Sequence, residues 1–196
     1  MKRKIKFILL SGLFVFSFFN LGFAQEFSAD VVSKAQGKIT QAKIFVSKNK
    51  VRLETPEAIS ISRLDKKVVY LLMPNEKMYM QIPLEVNNLV VAQEKTDLEI
   101  ERKFLGKENI NGKSADKYRI VYLLNNKRES IITWISSDTK LPLKTISEDG
   151  LWSQEFKNIK VEKQPDYLFE IPSGYQEFQS PLGGLNNLNI FKKIKK

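Results

Sequence analysis

From Phe27 onward the chain is a succession of short apolar and β-branched runs, each about five to nine residues long and closed by a turn signal, which restricts it to antiparallel β architecture. The pattern predicts strands near Phe27 to Ser33, Lys38 to Ser47, Val51 to Thr55, Ala58 to Leu64, Val68 to Met73 and Lys77 to Ile82. Further strands follow near Leu98 to Leu105, Ala115 to Leu124, Glu129 to Ser136, Leu143 to Glu148 and Leu151 to Val161. Asn111-Gly112 and Asp149-Gly150 tolerate positive φ at both central positions, as a type I′ hairpin turn requires. Lys48-Asn49, Asp65-Lys66, Pro74-Asn75 and Asn125-Asn126 are weaker forms of the same signal. Links this short join antiparallel neighbours, because a parallel pair needs a crossover of a dozen residues or more. The expectation is a mainly β meander of about ten or eleven strands.

Several strands are apolar on both faces. Tyr118, Ile120, Tyr122 and Leu124 alternate with Val121 and Leu123, Ile131, Thr133 and Ile135 with Ile132 and Trp134, and Val68, Tyr70 and Leu72 with Val69, Leu71 and Met73. A second sheet, a helix layer or a strongly curled sheet around an apolar hollow would cover both sides, and ordinary packing without a hollow gives the same pattern. Helix-period segments are too few to pave a face. A curled, open half-barrel plugged by a short helical or loop lid uses what the sequence offers, with Pro83 to Gln93 or the segment from Ser180 as the lid. The candidate lining of the hollow is Tyr70, Leu72, Met78, Met80, Tyr118, Ile120, Tyr122 and Trp134, large side chains that adapt to acyl chains.

The first 24 residues read as a secretory leader: a basic start at Lys2, Arg3, Lys4 and Lys6, an uncharged run from Phe7 to Phe19, and small residues at Gly22 and Ala24. The rival is an uncleaved anchor, but Asn20 interrupts the run and a cleavage site follows. Export to the periplasm with cleavage after Ala24 is the expectation. With no cysteine after the cut there is no lipid attachment point. The organisation is then a leader 1–24, one β domain 25–180 and a basic tail 181–196. Without the leader, 28 basic residues face 22 acidic ones, and Lys192, Lys193, Lys195 and Lys196 lie at the end, so the body is near neutral and carries no spread nucleic-acid footprint. The absence of cysteine and histidine removes disulfides, thiol nucleophiles, Cys/His zinc sites and imidazole triads, and no cofactor is implied.

Arg63 and Arg119 lie in otherwise apolar strands, where a guanidinium can contact a lipid head group or pair with a carboxylate. Glu99 and Glu101 alternate with Leu98, Ile100 and Arg102, and read as a solvated face more than as an acid/base pair. Phe191 to Lys196 (FKKIKK) mixes aromatic, aliphatic and basic residues, the composition of a peripheral membrane contact or of a solvated tail.

Five segments carry a resemblance: Lys50 to Glu54 (KVRLE), Ile61 to Met80 (ISRLDKKVVYLLMPNEKMYM), Lys103 to Arg119 (KFLGKENINGKSADKYR), Thr133 to Lys157 (TWISSDTKLPLKTISEDGLWSQEFK) and Pro165 to Tyr175 (PDYLFEIPSGY). Together they make the chain similar to the LolA/LolB-like superfamily of exported bacterial proteins, including outer-membrane lipoprotein-sorting-like members. The resemblance implies an open, strongly curved antiparallel half-barrel with a lid, whose hollow receives lipid chains in the carrier members. Those carriers begin with a helix, whereas Phe27 to Lys34 reads as strand or helix. No residue role is carried over.

The function these readings imply is a periplasmic, non-enzymatic, monomeric protein that sequesters a lipid or lipoprotein acyl chain, with transient envelope partners. A non-catalytic envelope interaction or sensing module of the same fold is the alternative, and a hydrolase working with carboxylates alone ranks last.

Overall fold

The computed structural model describes residues 25–84, 99–124 and 127–178. The leader, most of Pro83 to Gln93, Asn125-Asn126 and the tail with Phe191 to Lys196 lie outside the described residues.

Twelve strands form one sheet: β1 Phe27–Ala35, β2 Lys38–Ser47, β3 Lys50–Glu54, β4 Ile59–Arg63, β5 Val68–Met73, β6 Met78–Pro83, β7 Glu99–Ile110, β8 Lys113–Leu124, β9 Lys127–Ser136, β10 Pro142–Ser147, β11 Trp152–Val161 and β12 Gln176–Glu177. The first eleven fall where the apolar runs predict them. Two meanders, β1 to β6 and β7 to β11, are joined by antiparallel pairing of β1 with β11, and β12 adds two residues parallel to β6. Residues 27–35 are thus strand throughout. The sole helical element among the described residues is a 3-10 turn at Asp166–Phe169.

Local backbone chemistry sets the hairpins. Asn111 and Gly112 both take positive φ, 51° and 80°, as a type I′ turn demands, and Gln36 and Gly37 do the same at 50° and 74°. At Asp149-Gly150 only the glycine is positive, and the Asp149 carboxylate instead accepts a hydrogen bond from the Leu151 amide at 2.9 Å.

The sheet is open and curved. Its two long edges, β6 and β7, are consecutive in sequence. Ten strand spacings of about 4.8 Å make a flat sheet roughly 48 Å wide, whereas the chain from Leu84 to Glu99 reaches roughly 50 Å at full stretch. Curling brings the edges within easy reach of that link.

Strand pairing defines two faces. On the inner face Phe27, Ala29, Val31, Ile44, Val46 and Phe156 form a buried cluster with Leu141. The inner face continues through Thr133 and Thr145, whose hydroxyls share a 2.9 Å hydrogen bond, to Ile131, Ile120 and Tyr122 with Tyr118 and Trp152 alongside. On the outer face the same central strands present Asp30, Gln41, Lys43, Glu155 and Lys157. One face is therefore dry across the middle of the sheet and the other wet.

Candidate ligand face

The β3 to β6 wing is buried and apolar outside, and half-buried inside, where Ser60 and Ser62 of β4 interrupt an otherwise apolar face. Outside, Ile61, Leu72 and Phe169 are each 0% exposed and are flanked by Phe45, Ile59, Tyr70, Tyr79, Leu168 and Tyr175. The 3-10 turn seals this patch, and two arginines hold it there. Arg52 donates through Nη1 to the Leu168 carbonyl at 2.8 Å and through Nε to Glu54 at 2.6 Å. Arg63 donates to the Phe169 carbonyl at 3.2 Å, makes a two-pronged contact with Asp65 at 2.9 and 2.6 Å, and pairs with Glu170. The guanidinium beside it holds the Asp65 carboxyl down at about 2. Lys50 adds an ion pair to Asp166 at 2.6 Å and lies 5.8 Å from the centre of the Phe169 ring.

On the inner side of the same wing, Leu71 pairs with Met80 and Met73 with Met78, with Val69 opposite Ile82. All six are half-buried, and among the described residues no element packs over them. Flexible thioethers and aliphatic chains make this an adaptable apolar surface.

Five of the eight expected lining residues share this inner face: Met78, Met80, Tyr118, Ile120 and Tyr122. Tyr70 and Leu72 point outward beneath the 3-10 turn, because the two-residue period opposes them to Leu71 and Met73. Trp134 is also outward: its indole donates to Glu108 at 2.7 Å, and Lys117 and Lys144 lie 4.9 and 5.2 Å from its ring centre. The pairing across the β5 to β6 turn carries the missed signal, since choosing Met78 and Met80 requires Met73 and Leu71 beside them.

Neither proposed head-group arginine faces inward. Arg63 is saturated by the partners above. Arg119 lies outside, bidentate to Glu148 at 2.8 Å on both prongs and 3.6 Å from Glu101.

A different arginine occupies the inner face. A bulge between Glu99 and Glu101 breaks the two-residue period, so that Glu99 lies opposite Tyr122 and Glu101 opposite Val121. The two carboxylates therefore part to opposite faces, and Glu99 shares the inner one with Arg102. Arg102 grips Glu99 through Nε and Nη2, both at 2.8 Å, and its guanidinium stands 5.5 Å from the centre of the Tyr118 ring. Glu99 is 4% exposed and Arg102 25%. The carboxylate's hydrogen bonds raise the Arg102 pKa further, and burial pushes the neighbouring Tyr122 phenol well above its ordinary value. This corner thus pairs a fixed, charged fork with an aromatic wall of Phe104, Tyr118 and Tyr122.

A one-layer curved sheet with an apolar inner face and an outer face partly sealed by the 3-10 turn defines the class: an open half-barrel. Residues 30–140 match the family model described as Domain of unknown function (DUF4412), and the chain belongs to that family. Its fold is similar to MucB, with a TM-score of 0.52 and 15% identity over 74% of this chain and 57% of that one. MucB crystallised with MucA(peri) is similar at 0.50 and 17%, over 81% and 58%. The chain thus spans less than two thirds of MucB's length. A LolA superfamily protein from Nitrosomonas europaea is also similar, at a TM-score of 0.36 and 10% identity over 78% of this chain and 92% of that one. No curated protein matches by sequence.

Proposed function

We propose that the chain is an exported, non-catalytic binding protein that shelters an acyl chain against the inner face of its sheet. The observation that carries this reading is the half-buried inner surface of Val69, Leu71, Met73, Met78, Met80 and Ile82, which Ser60 and Ser62 of β4 separate from the dry central strands. Sequestration needs no reacting group: each methylene removed from water contributes about 0.8 kcal/mol, so a long chain binds tightly by burial alone. The leader-like residues 1–24 support a periplasmic setting, and the basic Phe191 to Lys196 supports a passing contact with an anionic membrane during transfer. Delipidated protein titrated with a fluorescent monoacylglycerol should show saturable uptake by the monomer. A monodisperse sample that takes up none would overturn the reading.

A second reading makes the same fold an envelope interaction module. It is favoured by β7, a 12-residue strand at the open end of the sheet, in contrast to β6, whose edge β12 covers in part. Capture of an envelope protein that is lost when β7 is altered, from protein that binds no lipid, would favour it over the carrier.

A further inference from the structure

We infer that the Glu99–Arg102 pair is the polar anchor of the inner face, and that it selects amphiphiles whose head is uncharged and rich in oxygen acceptors, an ester, amide or hydroxyl end. The inference rests on the acyl-binding reading and specifies the ligand's other end.

Among the described residues the pair leaves donors unused. Arg102 engages Glu99 through Nε and Nη2, so the Nη1 donors lie outside the fork, while the guanidinium carbon stands over the Tyr118 ring, 5.5 Å from its centre. Because Arg keeps its charge, these donors are permanent, and the carboxylate fixes the direction in which they point. A neutral carbonyl or hydroxyl oxygen can accept from Nη1 without changing the charge of the site. An anionic head would bring a second negative charge beside Glu99, whose side chain is only 4% exposed, and would have to lose its own hydration to do so. A cationic head would meet Arg102 directly. Position agrees with this assignment: the pair belongs to edge strand β7, and Ile120 and Ile131, the next residues across the sheet, are buried. A head anchored here therefore has an apolar path for its tail directly alongside.

The test uses three probes with one oleyl-type chain: 1-monooleoylglycerol, 1-oleoyl-lysophosphatidate and oleyl trimethylammonium, each below its aggregation concentration, with Kd read from tryptophan emission. Wild-type protein should bind the neutral probe at least tenfold more tightly than either charged one. Glu99→Gln keeps the shape but leaves Arg102 without its counter-charge, and should reverse the order, tightening lysophosphatidate tenfold or more. The Glu99→Leu/Arg102→Leu double variant should retain chain binding and lose the discrimination. Equal or tighter wild-type binding of lysophosphatidate, an E99Q ratio unchanged from wild type, or a double variant that still discriminates would each overturn the anchor while leaving the acyl-binding reading in place. Failure of all three probes to bind wild-type protein would overturn both.

Discussion

The two faces of the β4 to β6 wing are both largely apolar in sequence, yet one is finished by the chain itself and the other is half-open among the described residues. Outside, Leu72 and Ile61 reach full burial because Phe169 drops onto them and Arg52 and Arg63 tie the turn's carbonyls down. Inside, Met80 and Leu71 stay half-buried. Arginine use differs in the same way. Arg63 spends its donors on Asp65, Glu170 and a backbone carbonyl, which fastens a segment, whereas Arg102 spends only part of its fork on Glu99. Apolar pattern alone does not mark a binding surface; what distinguishes the two faces is whether a local segment satisfies both the grease and the charges.

The strongest way to break the comparison is Phe169→Ala. Removing a fully buried ring should cost about 4 kcal/mol in urea unfolding, and the cost should fall on stability with little change in acyl-probe affinity. Next comes Arg63→Met, which leaves Asp65 without its partner and Glu170 with Lys66 at 3.4 Å; because both carboxylates are partly exposed, the expected loss is about 2 kcal/mol, below that of a fully buried pair. The same cluster makes a pH prediction. Asp65 has a folded pKa of about 2 against an ordinary 3.8, so its contribution is fully present above about pH 4 and is lost as pH falls through 2. The urea midpoint should therefore decline more steeply between pH 4 and 2 in wild type than in Asp65→Asn, and parallel curves would refute the clamp.

Smaller effects sharpen the inner side. Thr133→Val alone should cost about 1 kcal/mol by stranding the Thr145 hydroxyl, while the Thr133→Val/Thr145→Val double variant should cost less than the two singles added, a coupling that a double-mutant cycle measures. Met80→Ala should be the mildest for stability, under about 1 kcal/mol at a half-buried site, yet should weaken acyl-probe binding several-fold. A large stability loss without an affinity change would assign Met80 to the packed core.

Much of this was legible beforehand. The apolar runs locate the first eleven strands because side-chain periodicity and turn chemistry are local. The candidate lining is legible only in part: both faces of β5 read as apolar, but the residues alone do not separate Tyr70 and Leu72 from Leu71 and Met73, because which face the 3-10 turn covers is a tertiary outcome. Glu99 and Arg102 escaped for another reason. Regular alternation puts Glu99 with Glu101, and a bulge, which leaves no reliable mark in the residues here, moves them apart.

By itself the sequence determined an antiparallel β chain without imidazole or thiol chemistry, because strand period, hairpin dipeptides and residue types act over a few neighbours. Only tertiary structure decided that β1 closes onto β11, that the C-terminal turn seals the outer wing, and that one arginine fastens while another faces the apolar inner surface. The first two, with Arg63's part in the seal, depend on contacts between residues roughly a hundred positions apart, and the placing of Arg102 depends on the bulged register of β7 against β8; there pairing register and the competition for a single dry surface select among arrangements that local pattern leaves equal.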